Sequence, residues 1–68
     1  MEYEIRLFDS VSGTRELIAQ SNESYARIVA AALSKEWPKD AIEIWSFNGT
    51  EFMRLKVYIN GRSVLSNW

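Results

Sequence analysis

The chain of 68 residues contains no cysteine, no histidine and only one proline. Without cysteine it has no disulfide framework and no thiolate metal site. Without histidine it lacks the commonest zinc ligand, the usual general base and the side chain that titrates near neutral pH. No apolar run approaches the ~18 residues of a membrane span, so no membrane partner is expected. The opening MEYEIRLF places acids where a secretory signal would carry bases. Together with the missing cysteines, this suits a cytoplasmic protein. Charge of one sign is also missing. The formal net charge is -1 with both signs interspersed, which implies no bulk attraction to nucleic acid or to an anionic membrane.

Catalytic groupings are equally scarce. A serine or threonine nucleophile would have no histidine to activate it. Ser34 and Lys35 are neighbours on a predicted helix and point in different directions. Gly13, Gly49 and Gly61 fall in separate segments, so no glycine-rich phosphate loop exists. Glu2, Glu4 and Glu43 share one face of the predicted sheet, where they read as a solvated surface paired with Arg6 and Arg54. The expectation is a protein that is not an enzyme and takes neither metal nor cofactor.

What the chain does have is hydrophobic content, 47%, which argues against disorder. Residues 1–68 form one domain, whose own core supplies ~3–5 kcal/mol. Glu2 to Phe8 alternates as a half-buried strand, with Tyr3, Ile5 and Leu7 on one face. Asp9 to Gly13 is turn chemistry with Gly13 in the left-handed region. Arg15 to Gln20 is a short second strand in which either Leu17 or Ile18 faces the core. Ser21 and Asn22 are good helix N-caps. Tyr25, Ile28, Val29, Ala32 and Leu33 then recur at helical spacing as the core stripe, with Arg27, Ala31, Ser34 and Lys35 towards the opposite side. Pro38 ends the helix near Glu36, and Trp37 is expected to plug the space beneath it.

Ala41 to Phe47, Thr50 to Ile59 and Arg62 to about Asn67 are three more strands, joined by Asn48-Gly49 and Asn60-Gly61. Asn-Gly favours a two-residue type I′ turn, which requires positive φ at both positions. Two such turns pair Phe47 with Thr50, Trp45 with Phe52, Ile44 with Met53, Tyr58 with Ser63 and Val57 with Val64. Ile42, Ile44, Met53, Leu55, Val57, Ile59 and Val64 then face the helix, with Trp68 on the same side beyond Val64. Glu43, Trp45, Phe47, Phe52, Arg54, Lys56, Tyr58 and Leu65 face away. The predicted fold class is α+β: a five-stranded antiparallel sheet (ββαβββ, order 2-1-3-4-5) with one helix on one face.

One helix cannot cover both sides of such a sheet. The open face, with Phe8 as a further contributor, gathers residue types enriched at protein interfaces. Trp45, Phe47, Phe52 and Tyr58 are the expected aromatic anchors, and Arg54 and Lys56 the orienting charges. The expected partner is a protein or nucleoprotein complex. Two alternatives are a single strand of nucleic acid stacked on the aromatics and a homodimer joined face to face.

The stretch SNESYARIVAAALSKEWPKDAIEIWSF, Ser21 to Phe47, is a capped helix with spaced alanines, a short turn and an Ile-Glu-Ile strand. With the preceding hairpin it resembles small phage-encoded inhibitors of host machinery, including anti-CRISPR proteins and host RNA polymerase inhibitors. The resemblance implies a stoichiometric inhibitor that binds and blocks without catalysis. It carries over no individual site residue.

Overall fold

Strict alternation from Tyr3 makes β1, Tyr3–Asp9, and the turn after it is fixed by its own polar atoms. Asp9 Oδ1 accepts the Val11 N–H at 2.9 Å, and Gly13 N–H donates to the Asp9 carbonyl at 2.7 Å with Gly13 at φ +74°. The chain returns as β2, Thr14–Ser21. These coordinates come from a computed structural model that describes residues 2–68. Helix α1, Glu23–Glu36, follows, then β3, Ala41–Phe47, β4, Phe52–Ile59, and β5, Arg62–Ser66. All neighbouring strands are antiparallel, in the order β2-β1-β3-β4-β5. This is the predicted α+β architecture. A helix between β2 and β3 makes those strands parallel, so β3 finds its antiparallel partner in β1.

Asn22 caps the helix, its side chain accepting the Tyr25 N–H at 3.1 Å. The buried face of α1 is a line of small residues, Ala26, Ala30 and Ser34, four apart. This corrects the larger stripe expected from the sequence. Val29 and Leu33 flank the core, but Tyr25 and Ile28 are exposed at 59% and 64%. The small line lets the helix approach the sheet closely, and a large side chain, Tyr58, fills the space beneath it. The core cluster is Ile5, Ala26, Ala30, Ile42, Ile44 and Tyr58. Trp37 forms no plug: it is the C-cap, with its N–H on the Leu33 carbonyl, and its side chain is 43% exposed. Trp68 packs instead against the core on the helix side, stacked on Tyr3 at 5.1 Å beneath the Arg27 guanidinium.

Three register shifts separate the sheet from a plain two-residue count. Between β1 and β2, Ile5 pairs with Ala19 and Arg6 with Leu17, so Ile18 is extra. Ile18 packs on the core and Leu17 is half exposed. Between β3 and β4, Trp45 pairs with Arg54 but Ile44 with Lys56, so Leu55 is extra. Between β4 and β5, Tyr58 pairs with Ser63 but Val57 with Leu65, so Val64 is extra. Each bulge reverses which face the later residues take.

The two Asn-Gly segments also differ. Asn60 and Gly61 have φ +51° and +80°, and Ile59 pairs with Arg62 across a two-residue turn as predicted. At the other segment Phe47 pairs with Phe52 rather than with Thr50, across a four-residue loop. The Asn48 side-chain oxygen accepts the N–H groups of Thr50 and Glu51 at 2.9 and 3.0 Å, which holds the wider loop closed.

The second turn is tied to the helix. Ser34 Oγ accepts the Gly61 N–H at 2.7 Å and donates to the Ala31 carbonyl at 2.8 Å. A Cβ at Gly61 would sit 2.7 Å from Lys35 Cε, and its φ is one that L side chains rarely adopt. Gly61→Ala is expected to cost about 1 kcal/mol or more, read as a lowered urea midpoint with an unchanged slope.

Candidate functional site

The face of the sheet away from α1 is organised around one acid on its central strand. Glu43 lies in β3 between the core residues Ile42 and Ile44, so the pleat points it to the open side. Its side chain is nevertheless only 1% exposed. Arg15 of β2 covers it from one side, with Nε donating to Oε1 at 2.8 Å and Nη2 to Oε2 at 3.3 Å. Arg54 of β4 reaches it from the other, Nη1 to Oε2 at 3.2 Å. The Trp45 indole N–H adds a fourth donor, 3.0 Å from Oε1.

Burial pushes the Glu43 carboxyl up. The hydrogen bonds from Arg15, Trp45 and Arg54 and the charge of Arg15 pull it further down, leaving it below the ordinary glutamate value. The same hydrogen bond raises the Arg15 guanidinium.

Arg6 stands opposite Glu43 in the β1–β3 register. It pairs with Glu4 on its own strand at 2.6 Å, and its guanidinium lies 4.7 Å from the Trp45 ring centroid and 4.9 Å from that of Phe52. Arg15 lies 4.5 Å from the Phe8 centroid and 5.7 Å from that of Trp45. Phe52 meets Phe47 at 5.2 Å, tilted by 54°. The result is a row of alternating rings and cations crossing four strands: Phe8, Arg15, Trp45, Arg6, Phe52, Phe47. Each of these two guanidinium groups is paired with a carboxylate and lies within 6 Å of two aromatic ring centroids.

Of the residues expected at the site, Trp45, Phe47, Phe52 and Arg54 are together on this face. Tyr58 and Lys56 are not. The extra residue at Leu55 turns both towards the helix side. Tyr58, 7% exposed, pairs with Ile42 in the core, and Lys56 pairs with Ile44 with its ammonium 5.6 Å from the Tyr58 ring. Val57 takes the open side instead, opposite Glu43.

The expected solvated cluster of Glu2, Glu4 and Glu43 is also corrected: Glu43 is buried beneath arginines, and its pairing with Arg54 forms while Arg6 turns to Glu4. Arg6 and Arg15 were missed as members of the site. The signal for them was an acid flanked by isoleucines on a central strand, a position that needs cations on the neighbouring strands to hold its charge.

No family model, curated protein or solved structure matches this chain. No helix among the described residues is long and apolar enough to cross a membrane.

Proposed function

We propose that the protein is a non-enzymatic binding module that engages a protein, alone or within a nucleoprotein complex, through the open sheet face. The observation that carries this is the pre-ordered row of guanidinium groups and aromatic rings around a carboxylate only 1% exposed. Arginine and aromatic residues lose much side-chain freedom when a surface is docked. Here Glu43, Glu4 and the rings have already fixed them, which lowers the cost of association. Phe47 and Phe52, 40% and 41% exposed, supply apolar area at one end of the row. Such residues dominate measured interface energetics. The resemblance to small phage-encoded inhibitors supports stoichiometric blocking as the mode of action.

The test is affinity capture from host lysate, comparing the wild type with a Phe47→Ala/Phe52→Ala variant whose circular dichroism is unchanged. A partner retained by the wild type and weakened about 30-fold or more by the variant is the expected result. Equal recovery by both proteins would remove the sheet face from the proposal.

One observation favours a second reading. Because the Glu43 charge is spent inside the cluster, the exposed Phe rings share their face with three arginines, a combination suited to stacking single-stranded bases. That reading predicts quenching of tryptophan fluorescence by an oligonucleotide at low salt and its loss at high salt. Absence of quenching at low salt sinks it.

A further inference from the structure

The dipeptide Asn-Gly occurs twice, and its two copies have opposite surroundings. Asn48 and Gly49 lie in the exposed loop that closes Phe47 on Phe52. Asn48 Oδ1 accepts the N–H groups of Thr50 and Glu51 at 2.9 and 3.0 Å. The Gly49 N–H donates to no acceptor among the described residues. A Cβ placed on Gly49 would meet nothing within 4 Å, so the space around it is open. At the other copy the Gly61 N–H is held by Ser34 Oγ at 2.7 Å, and the Lys35 side chain covers the glycine.

We infer that Asn48 is a self-modification site, converted to aspartate and isoaspartate by attack of the Gly49 amide nitrogen, and that folding withholds the same reaction from Asn60. Hydroxide takes the Gly49 amide proton, and the nitrogen bonds to Asn48 Cγ as the carbonyl electron pair moves onto Oδ1. Collapse of that intermediate breaks the Cγ–Nδ2 bond, and ammonia leaves with a proton from water. Water then opens the cyclic imide at either carbonyl. One opening gives aspartate; the other routes the backbone through the side chain and gives isoaspartate. Overall one water is taken up and one ammonia released, with no oxidant or reductant.

The charge that develops on Oδ1 falls where two backbone N–H groups already stand at hydrogen-bond distance, the arrangement of an oxyanion hole. Gly49 has no side chain to bar the approach of its nitrogen. At Asn60 the nucleophile is already engaged. Freeing the Gly61 nitrogen breaks its bond to the fully buried Ser34 hydroxyl and pulls the second turn off the helix. Conversion at Asn48 sets a new carboxylate beside Phe47 and Phe52. On the reading proposed above, that alters the binding face; the conversion itself does not depend on that reading.

Trypsin separates the two sites, since residues 40–54 hold Asn48 and residues 57–62 hold Asn60. Protein is held in mildly alkaline buffer at body temperature, digested, and compared with an unincubated sample. Mass spectrometry reads the amide-to-acid mass gain in each peptide, and elution time separates aspartate from isoaspartate. In the folded chain Asn48 is expected to convert at least about tenfold faster than Asn60, and no more slowly than in guanidinium chloride. The denatured chain is expected to convert both sites at rates within about twofold of each other. Ser34→Ala, in protein folded by circular dichroism, is expected to speed Asn60 and leave Asn48 unchanged. Equal rates in the folded wild type, or faster conversion at Asn60, overturn the proposal. Protection of Asn48 by folding overturns the part given to the Oδ1 donors. An unchanged Asn60 rate in folded Ser34→Ala overturns the part given to the Gly61 contact.

Discussion

Tyr58→Ala is expected to leave the protein largely unfolded at room temperature, while Phe52→Ala unfolds within about 1 kcal/mol of the wild type. Straight alternation from Asn48-Gly49 treats the two aromatics alike, as surface residues on one face. The register does not. The extra residue at Leu55 places Tyr58 opposite Ile42, beneath the helix, with 7% of its surface exposed. Truncating a buried aromatic to alanine costs ~3–5 kcal/mol. A core of this size supplies about the same amount in total, so nothing is left to hold the fold.

Tyr58→Phe keeps the ring and is expected to stay within about 1 kcal/mol. Urea titrations of the three variants, followed by circular dichroism, separate the cases. A stably folded Tyr58→Ala protein would show that the ring is not part of the core.

The elements themselves were legible because their signals are local. Alternation marked β1, the Asn22 cap and Pro38 bracketed α1, and Ala41–Phe47 was predicted with the bounds it has. The strand order followed from one geometric fact, that a strand after a crossover helix runs parallel to the strand before it.

What was not legible depended on packing between elements. Nothing local distinguishes Asn48-Gly49 from Asn60-Gly61. At the first, the Asn48 side chain caps two amides and opens a four-residue loop; at the second, Asn60 and Gly61 both take positive φ. The bulges at Ile18, Leu55 and Val64 likewise answer to tertiary fit. The helix direction was hidden for the same reason. Hydrophobicity favours burying Tyr25 and Ile28, but volume favours burying Ala26 and Ala30, because they leave room for Tyr58. Four of the six expected residues lie on the open face, since Trp45, Phe47, Phe52 and Arg54 all precede the extra residue or oppose residues that do. Tyr58 and Lys56 lie beyond it.

Glu43→Ala is expected to cost ~2–3 kcal/mol. The carboxylate holds two guanidinium groups and accepts the Trp45 indole N–H. Breaking a fully buried ion pair costs ~3–5 kcal/mol, but the Arg15 and Arg54 side chains are 39% and 38% exposed and recover water when released. Glu43→Gln retains an acceptor for Trp45 but turns an amide towards a guanidinium, and about 1–2 kcal/mol is expected.

The pH dependence identifies the charge as the cause. The folded-state pKa of Glu43 is depressed below its unfolded value of about 4.3. Near that pH the unfolded chain binds more protons, so stability rises with pH through the window. The contribution is complete above about pH 5 and is lost as pH falls through the folded pKa. Asp9, lowered by the backbone N–H groups of Val11 and Ser12, acts in the same direction. Urea midpoints measured from pH 7 to pH 3 should therefore fall for the wild type below about pH 5. Glu43→Gln should fall less steeply, keeping only the part that belongs to Asp9. Parallel curves for the two proteins would mean that the Glu43 charge is not what fixes Arg15 and Arg54, and the pre-ordered row would lose its anchor.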